Sequence, residues 1–428
     1  MKASTSFKIL FGRFLTRSGD QAWDFAVPLT LLKIFPGQIR IAAGYFLVVK
    51  LLHVLLMPKV ATIIDRKSRL QVAYVGSAIQ FVGVFLGAGS LLFLYTYNQS
   101  DYIYLIFALL VIAGLMGSLG SSLMNISVGN DLVPSAIPTE QITQFNSRLR
   151  QLDLFTEVSA PVLAGLLLIL NLPSIPLLGL LLIAGWNLIS FFPEVLILRS
   201  IFKNNPALLK KEFQTFNANK MSLLAKMTTG WVSFFKQPIA PAVLAYALLW
   251  LSVLSPHGVL LTGYLKDGLQ MPEVVIGIFR GLGALFGLLS TVIFPIVISK
   301  YGLIKGSRGF ILLQTMMLVL ALVFFMIPSA IGQYGFLIFI LFSRVGLYGF
   351  SLGEMQIRQL GIAPHERGEV NGFADALTGL ATLALYGFGA LLPSTAEFSI
   401  LIFGSVIFVA IGAGIFSFWK PNAQIQNF

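Results

Sequence analysis

Cysteine is absent from this chain of 428 residues, and histidine occurs only three times. The first absence excludes disulfides and thiolate metal sites. The second leaves little room for a zinc site built on histidines. Charge is scarce: Asp, Glu, Lys and Arg together make up 11% of the residues. The start of the chain lacks a short apolar core followed by small residues, so no removable signal peptide is expected. There is no His-Glu-x-x-His and no glycine-rich phosphate loop, which argues against an enzyme. Without a soluble nucleotide-binding domain, an ATP-driven pump is excluded as well.

What the chain has is apolar length. Hydrophobic residues make up 57% and the mean hydropathy is +0.86, too apolar for a soluble protein to cover its surface. The apolar runs recur and exceed what a core helix needs, which predicts an all-α polytopic membrane protein. A transmembrane barrel would instead show short alternating segments. Spans are expected at 8–34, 41–64, 70–96, 101–128, 150–172, 174–198, 239–265, 271–298, 306–328, 331–357, 368–392 and 395–419. One long polar stretch, 199–236, divides them into halves of six: 1–198 and 237–428 with the linker between.

The formal charge of +12 does not point to nucleic acid, because the basic residues fall in short loops between spans. They include Arg66, Lys67 and Arg69 in loop 2–3, Arg148 and Arg150 in loop 4–5, the central linker, Lys305 and Arg308 in loop 8–9, and Arg358 and Arg367 in loop 10–11. With twelve spans all of these lie on one side, which makes that side, both termini and the linker cytoplasmic. The inner (plasma) membrane is the expected location. Two six-span halves around a cytoplasmic linker is the major facilitator layout. Ile64-Asp65-Arg66-Lys67-Ser68-Arg69 has the Asp-Arg-x-x-Arg character of that superfamily's loop 2–3, without its usual preceding glycine.

Polar side chains at bilayer depth are expensive and mark function. Asp20 lies about halfway across span 1, and Gln80 lies about 15 Å into span 3. Asn187 reaches a similar level in span 6, with Glu194 two turns nearer the cytoplasm on the same face. Ser190, one turn from Asn187, offers a hydroxyl. Two carboxylates with amide oxygens suit Ca²⁺, or Fe²⁺ and Mn²⁺ with added water. Asp24 shares a face with Asp20, and either can be the main ligand. The alternative reading is a proton-coupled facilitator for an organic solute or drug, in which Asp20 binds the proton or an organic cation.

Gly19-Asp20-Gln21-Ala22-Trp23 with Phe25-Ala26-Val27 resembles the first helix of ferroportin iron exporters. Ala184-Gly185-Trp186-Asn187 with Ser190 and Glu194 resembles the same family, as do Asn205-Pro206-Ala207-Leu208 and Glu366-Arg367-Gly368 with Asn371-Gly372. The resemblance runs along nearly the whole chain and marks it as similar to a bacterial member. It implies Fe²⁺ export by alternating access, tolerance of Co²⁺ and similar ions, and a Ca²⁺-capable site at Asp20, Gln80, Asn187 and Glu194. It also implies that some of Asp65, Arg150 and Arg367 pair only in the outward-facing state, as elements of a cytoplasmic gate. The animal members carry a cysteine in span 7 and a histidine in span 11; this chain has neither, the latter position falling near Leu385. No peptide-hormone regulator is expected, and the chain is expected to act as a monomer.

Span 7 has its own candidate ligand. Ser255-Pro256-His257-Gly258 predicts a helix break near mid-membrane, because proline removes a donor and glycine loosens the turn. His257 beside freed carbonyls is a good ligand for Fe²⁺, Co²⁺ or Ni²⁺.

Overall fold

The computed structural model describes residues 3–35, 39–97, 101–170, 175–209, 223–256, 258–391 and 398–421. His257 and linker residues 210–222 lie outside the described residues. The chain is helical nearly throughout. It opens with α1 (Ala3–Ile34), α2 (Ile39–Arg66), α3 (Arg69–Thr96) and α4 (Ile103–Asn125). A π-helical stretch, Ile126–Leu132, carries α4 on into α5 (Val133–Ala136), and α6 (Thr139–Leu168) and α7 (Leu178–Asn204) follow. Next come α8 (Leu223–Lys236), α9 (Ala240–Leu249), α10 (Val259–Gly263) and α11 (Glu273–Tyr301). The chain ends with α12 (Leu303–Phe325), α13 (Ala330–Gly361), α14 (Arg367–Leu391) and α15 (Phe398–Phe418).

Among the described residues, nine segments are long and apolar enough to cross a membrane. They are α2, α3, α4 with α5, α6, α7, α11, α12, α13 and α15. The three expected spans left over are α1, α14 and the interrupted α9–α10, and these hold Asp20, Asp375 and the span 7 break. Several helices run past the expected spans: α6 starts at Thr139, not near 150, so Arg148 and Arg150 sit on a helix and not in a loop. Polar residues there read as loop, yet Glu, Gln and Arg are good helix formers once clear of lipid. Arg358 and Arg308 likewise lie within α13 and α12.

The chain forms two compact units. Unit 1 comprises Met1–Thr139, Leu152–Phe216 and Ala363–Ala376; unit 2 comprises Glu140–Gln151, Asn217–Ile362 and Leu377–Phe428. Unit 1 packs Trp23, Leu31, Leu91, Leu110, Leu180 and Ile183 into one core. Met57, Ile64, Val72 and Leu123 form a second cluster between α2, α3 and α4. In unit 2 the first turns of α6 meet α13 through reciprocal side-chain bonds. Asn146 Nδ2 donates to Gln359 Oε1 at 2.7 Å, and Gln356 Nε2 donates to Thr143 Oγ1 at 2.8 Å. Large side chains such as Phe85, Ile189, Ile296 and Ile407 point outward, as a lipid-facing surface requires.

Small residues let α3 and α4 approach closely. A Cβ on Gly83 would lie 2.6 Å from the Gly117 amide nitrogen and 2.8 Å from the Ala113 carbonyl oxygen. Both obstacles are backbone, so the helices must part to admit a methyl group. Gly83→Ala is therefore expected to destabilise the protein by about 1–3 kcal/mol, read as a lower midpoint of thermal unfolding in detergent. An unchanged midpoint would mean that this contact is soft.

The span 7 break is wider than Pro256 alone predicts. α9 stops at Leu249 and helix resumes only at Val259. Side chains from other helices satisfy the freed backbone: the Val253 N–H donates to Ser405 Oγ at 2.9 Å, and Arg344 Nη2 donates to the Leu254 carbonyl at 2.8 Å. Such partners are what permit irregular backbone at membrane depth.

Candidate metal centre

Unit 1 contains a cavity of about 380 Å³ lined by residues of α1, α2, α3, α4 and α7. Asp20, Asp24, Gln80 and Asn187 all reach it. Asp20 is half-buried and held in place by two neighbours. Ser121 Oγ donates to Asp20 Oδ2 at 2.9 Å, and Gln80 Nε2 lies 3.3 Å from Oδ2 and 3.4 Å from Oδ1. Asp24, one turn on, is exposed to the same cavity. Gln80 is buried, and its position depends on the small residues of α4: a Cβ on Gly120 would lie 2.6 Å from Gln80 Cγ.

Asn187 is fully buried, and both its amide oxygen and its amide nitrogen lack a hydrogen-bond partner. That is costly in a low-dielectric interior. Gly19 brings α1 against α7 here, since a Cβ on it would lie 2.9 Å from Asn187 Cα. Ser190 is buried and donates to the Asn187 backbone carbonyl at 2.7 Å, which leaves its oxygen free to accept. Glu194 is buried two turns on and faces Arg13, with Nη1 to Oε1 at 3.7 Å. Ser190 and Glu194 are not among the residues lining the cavity. The structure thus brings Asp20, Gln80 and Asn187 to one space and places Glu194 against an arginine beside it.

Several side chains in contact with these residues or on the same helix face escaped the sequence reading. Ser121 is the nearest partner of Asp20. Arg13 also hydrogen-bonds Asn125 Oδ1, and Arg17 pairs with Asp153 at 3.2 Å. The signal was present: Arg13, Arg17, Asp20 and Asp24 fall at helical spacing on one face. Gly114, Gly117, Ser118, Gly120, Ser121 and Ser122 form a run of small and polar residues, the pattern of a close and hydrogen-bonding helix face.

Among the described residues no three Asp, Glu, His or Cys side chains converge as a metal-binding group. The cavity offers carboxylate, amide and hydroxyl oxygens. Such donors suit a hard or borderline cation that keeps part of its water shell.

The residues expected at a gate also have defined places. Asp65, buried at the end of α2, accepts from the Gly368 N–H at 2.8 Å and from the Glu369 N–H at 2.7 Å. Its carboxylate thus caps the first turn of α14, where the helix dipole favours negative charge. Arg367 donates to the Asp131 carbonyl at 3.1 Å and to Ser135 Oγ at 3.0 Å. Arg150 lies in unit 2 with its guanidinium 4.8 Å from the Tyr348 ring centroid. Among the described residues, buried Arg344 donates to the Leu254 carbonyl and to Ser343 Oγ; Glu354 pairs with Arg358 at 2.6 Å and Asp375 with His53 at 2.9 Å.

The family model described as Ferroportin1 (FPN1) matches residues 3–409. The chain is 45% identical over 429 residues to ferreportin of Bdellovibrio bacteriovorus, covering 98% of this chain and 95% of that one. A crystal structure of a bacterial homologue of the iron transporter ferroportin, in the outward-facing state with soaked iron, superposes with a TM-score of 0.88. It is 44% identical, and the match covers 97% of this chain and 98% of that one. A bacterial homologue in the inward-facing state gives a TM-score of 0.67 at 43% identity, over 98% of this chain and 99% of that one. The fold itself is shared more widely: the major facilitator transporter FucP, 10% identical, gives a TM-score of 0.64 over 97% of this chain and 99% of that one. With the family model matching nearly end to end and a relative of high identity along the whole length, this chain belongs to the ferroportin family of membrane transporters.

Proposed function

We propose that this protein exports divalent transition-metal ions, Fe²⁺ foremost and Co²⁺ and similar ions with it, by alternating access. The observation that carries this reading is the unpartnered Asn187 amide in a cavity that also holds the Asp20 carboxylate. A cation satisfies both at once: it gives the amide oxygen a partner and neutralises the acid. Asp20 supplies the charge, Gln80 and Asn187 the neutral oxygens, and Ser190 a further hydroxyl. Glu194 completes the set when Arg13 swings aside. The same hard oxygens fit Ca²⁺, so the site takes Ca²⁺ as well as the transported ion. The iron in the soaked homologue supports iron as substrate, and the outward-facing and inward-facing structures of bacterial homologues support alternation as the cycle.

In this reading the halves 1–198 and 237–428 are the moving bodies, with 199–236 as a cytoplasmic linker. His257 serves as a nitrogen ligand in the second half, on the strength of its place in the sequence. Asp65, Arg367 and Arg150 act at the cytoplasmic ends of the helices as gate residues. The protein works as a monomer in the inner membrane, both termini cytoplasmic, without a peptide-hormone regulator.

The test is uptake of Fe²⁺ or Co²⁺ by proteoliposomes of the purified protein, read with an entrapped metal-quenched fluorophore. Saturable uptake above empty liposomes is expected. No metal uptake with or without Ca²⁺, together with uptake of an organic cation, would overturn the reading.

A further inference from the structure

A second buried polar cluster in unit 1 is not used by the metal site. His53 on α2 is buried, and its Nε2 lies 2.9 Å from Asp375 Oδ2 on α14. Its Nδ1 lies 2.8 Å from Ser118 Oγ on α4. Ser122, one turn further along α4, hydrogen-bonds Asp375. Lys50, three residues before His53, is within electrostatic reach of both Asp375 and Asp24. Among the described residues α4 contributes two serines to this cluster, and the charged groups at it are Asp375, against the imidazole, and Lys50, within reach of Asp375.

We propose that His53 and Asp375 form a proton-binding site, whose occupancy sets how firmly the first turns of α14 are held on α2 and α4. The hydrogen-bond chemistry suits a proton that comes and goes. With His53 neutral, Nε2–H donates to the carboxylate and the Ser118 hydroxyl donates to Nδ1. With His53 protonated, both ring nitrogens donate and Ser118 turns its lone pair toward Nδ1. A hydroxyl serves equally as donor or acceptor, so the proton is taken up without breaking either bond. A fixed donor such as an amide N–H at that position would forbid it.

A route for the proton is present. Ser118 and Ser122 both line the cavity that holds Asp20, and the Asp375 side chain is 33% exposed while that of His53 is 2% exposed. Asp375 is therefore the side open to water, and His53 is the enclosed partner. Protonation turns a hydrogen bond from a neutral donor to a carboxylate into one between opposite ions, which is stronger. The tie between α2 and α14 thus tightens when the pair takes up a proton and loosens when it gives the proton up. Its use in transport, as a coupling of protons to metal movement, rests on the function proposed above; the site itself does not.

The test is a distance measured in the metal-free protein. Because the chain has no cysteine, spin labels attached through Lys67→Cys and Pro364→Cys report only those two positions. Double electron–electron resonance should show a short-distance population that falls about fivefold, relative to the longer one, between about pH 5.5 and about pH 8. His53→Gln and Asp375→Asn should each remove the pH dependence, and the exchange His53→Asp with Asp375→His should restore it. If His53→Gln does not fold, Asp375→Asn carries the test, since it is nearly isosteric at a partly exposed position. A wild-type distance that ignores pH, or a wild-type response retained in both single variants, would overturn the proposal. A pH-dependent distance without metal uptake in proteoliposomes would refute the metal reading and leave the proton site standing.

Discussion

Asp20→Ala is expected to lower Fe²⁺ or Co²⁺ uptake into proteoliposomes by tenfold or more while the protein remains folded. Tenfold corresponds to about 1.4 kcal/mol, less than a carboxylate commonly contributes to holding a divalent cation in a partly enclosed site. The two hydrogen bonds that orient Asp20, from Ser121 and Gln80, leave its remaining acceptor capacity directed at the cavity. Folding should suffer little, because the cavity admits water that can replace the lost acceptor for Ser121 and Gln80. Asp20→Asn separates charge from shape: it keeps the volume and a hydrogen-bonding oxygen, and it should fail nearly as badly. Uptake within about twofold of wild type in both variants would move the main ligand to Asp24, which reaches the same cavity.

Depth alone brings Asp20, Gln80 and Asn187 to a common level in the sequence, and in the structure these three reach one cavity. Helical rise is regular, so counting from the membrane edge brings residues on separate spans to a common level. What counting cannot supply is rotation about each helix axis and the choice of neighbour. That is why Ser121 and Arg13 went unnoticed, although both sit on faces with a visible pattern of small or charged residues. Nor can counting choose partners: Asp375 pairs with His53 and Glu354 with Arg358. Boundaries failed for a different reason. Hydropathy marks where lipid ends, not where helix ends, so the helical run that begins with α4 continues to Ala136 and α6 begins at Thr139, both well past the expected limits. The extension matters, because it carries the buried Asp131 in a π-helical stretch beyond the expected end of span 4.

The same stretch supplies the largest expected loss of stability, in Asp131→Ala. Asp131 is 0% exposed. Its carboxylate receives Arg69 through two bonds, Nε to Oδ2 at 3.0 Å and Nη2 to Oδ1 at 3.2 Å, and Arg367 Nη1 lies 3.8 Å from Oδ1. Ser135 Oγ ties the cluster together by accepting from both arginines, at 2.8 Å from Arg69 and 3.0 Å from Arg367. One acid therefore neutralises two largely buried guanidinium groups. Removing it takes the carboxylate partner away from Arg69 and one carboxylate contact from Arg367, and breaking a buried pair in this way costs about 3–5 kcal/mol. π-Helical turns are uncommon and concentrate at functional sites; here the turn aims Asp131 at both arginines. The measurement is the midpoint of thermal or denaturant unfolding in detergent or nanodiscs. Asp131→Asn should cost less, since it keeps an acceptor and loses only the charge. Adding Arg69→Met to Asp131→Ala should recover part of the loss, because the buried cation that Asp131 pairs directly is then gone. A cost below about 1 kcal/mol for Asp131→Ala would show that water already reaches the arginines. In that case Asp65, through its two bonds to the α14 backbone, would be left as the principal anchor of that helix.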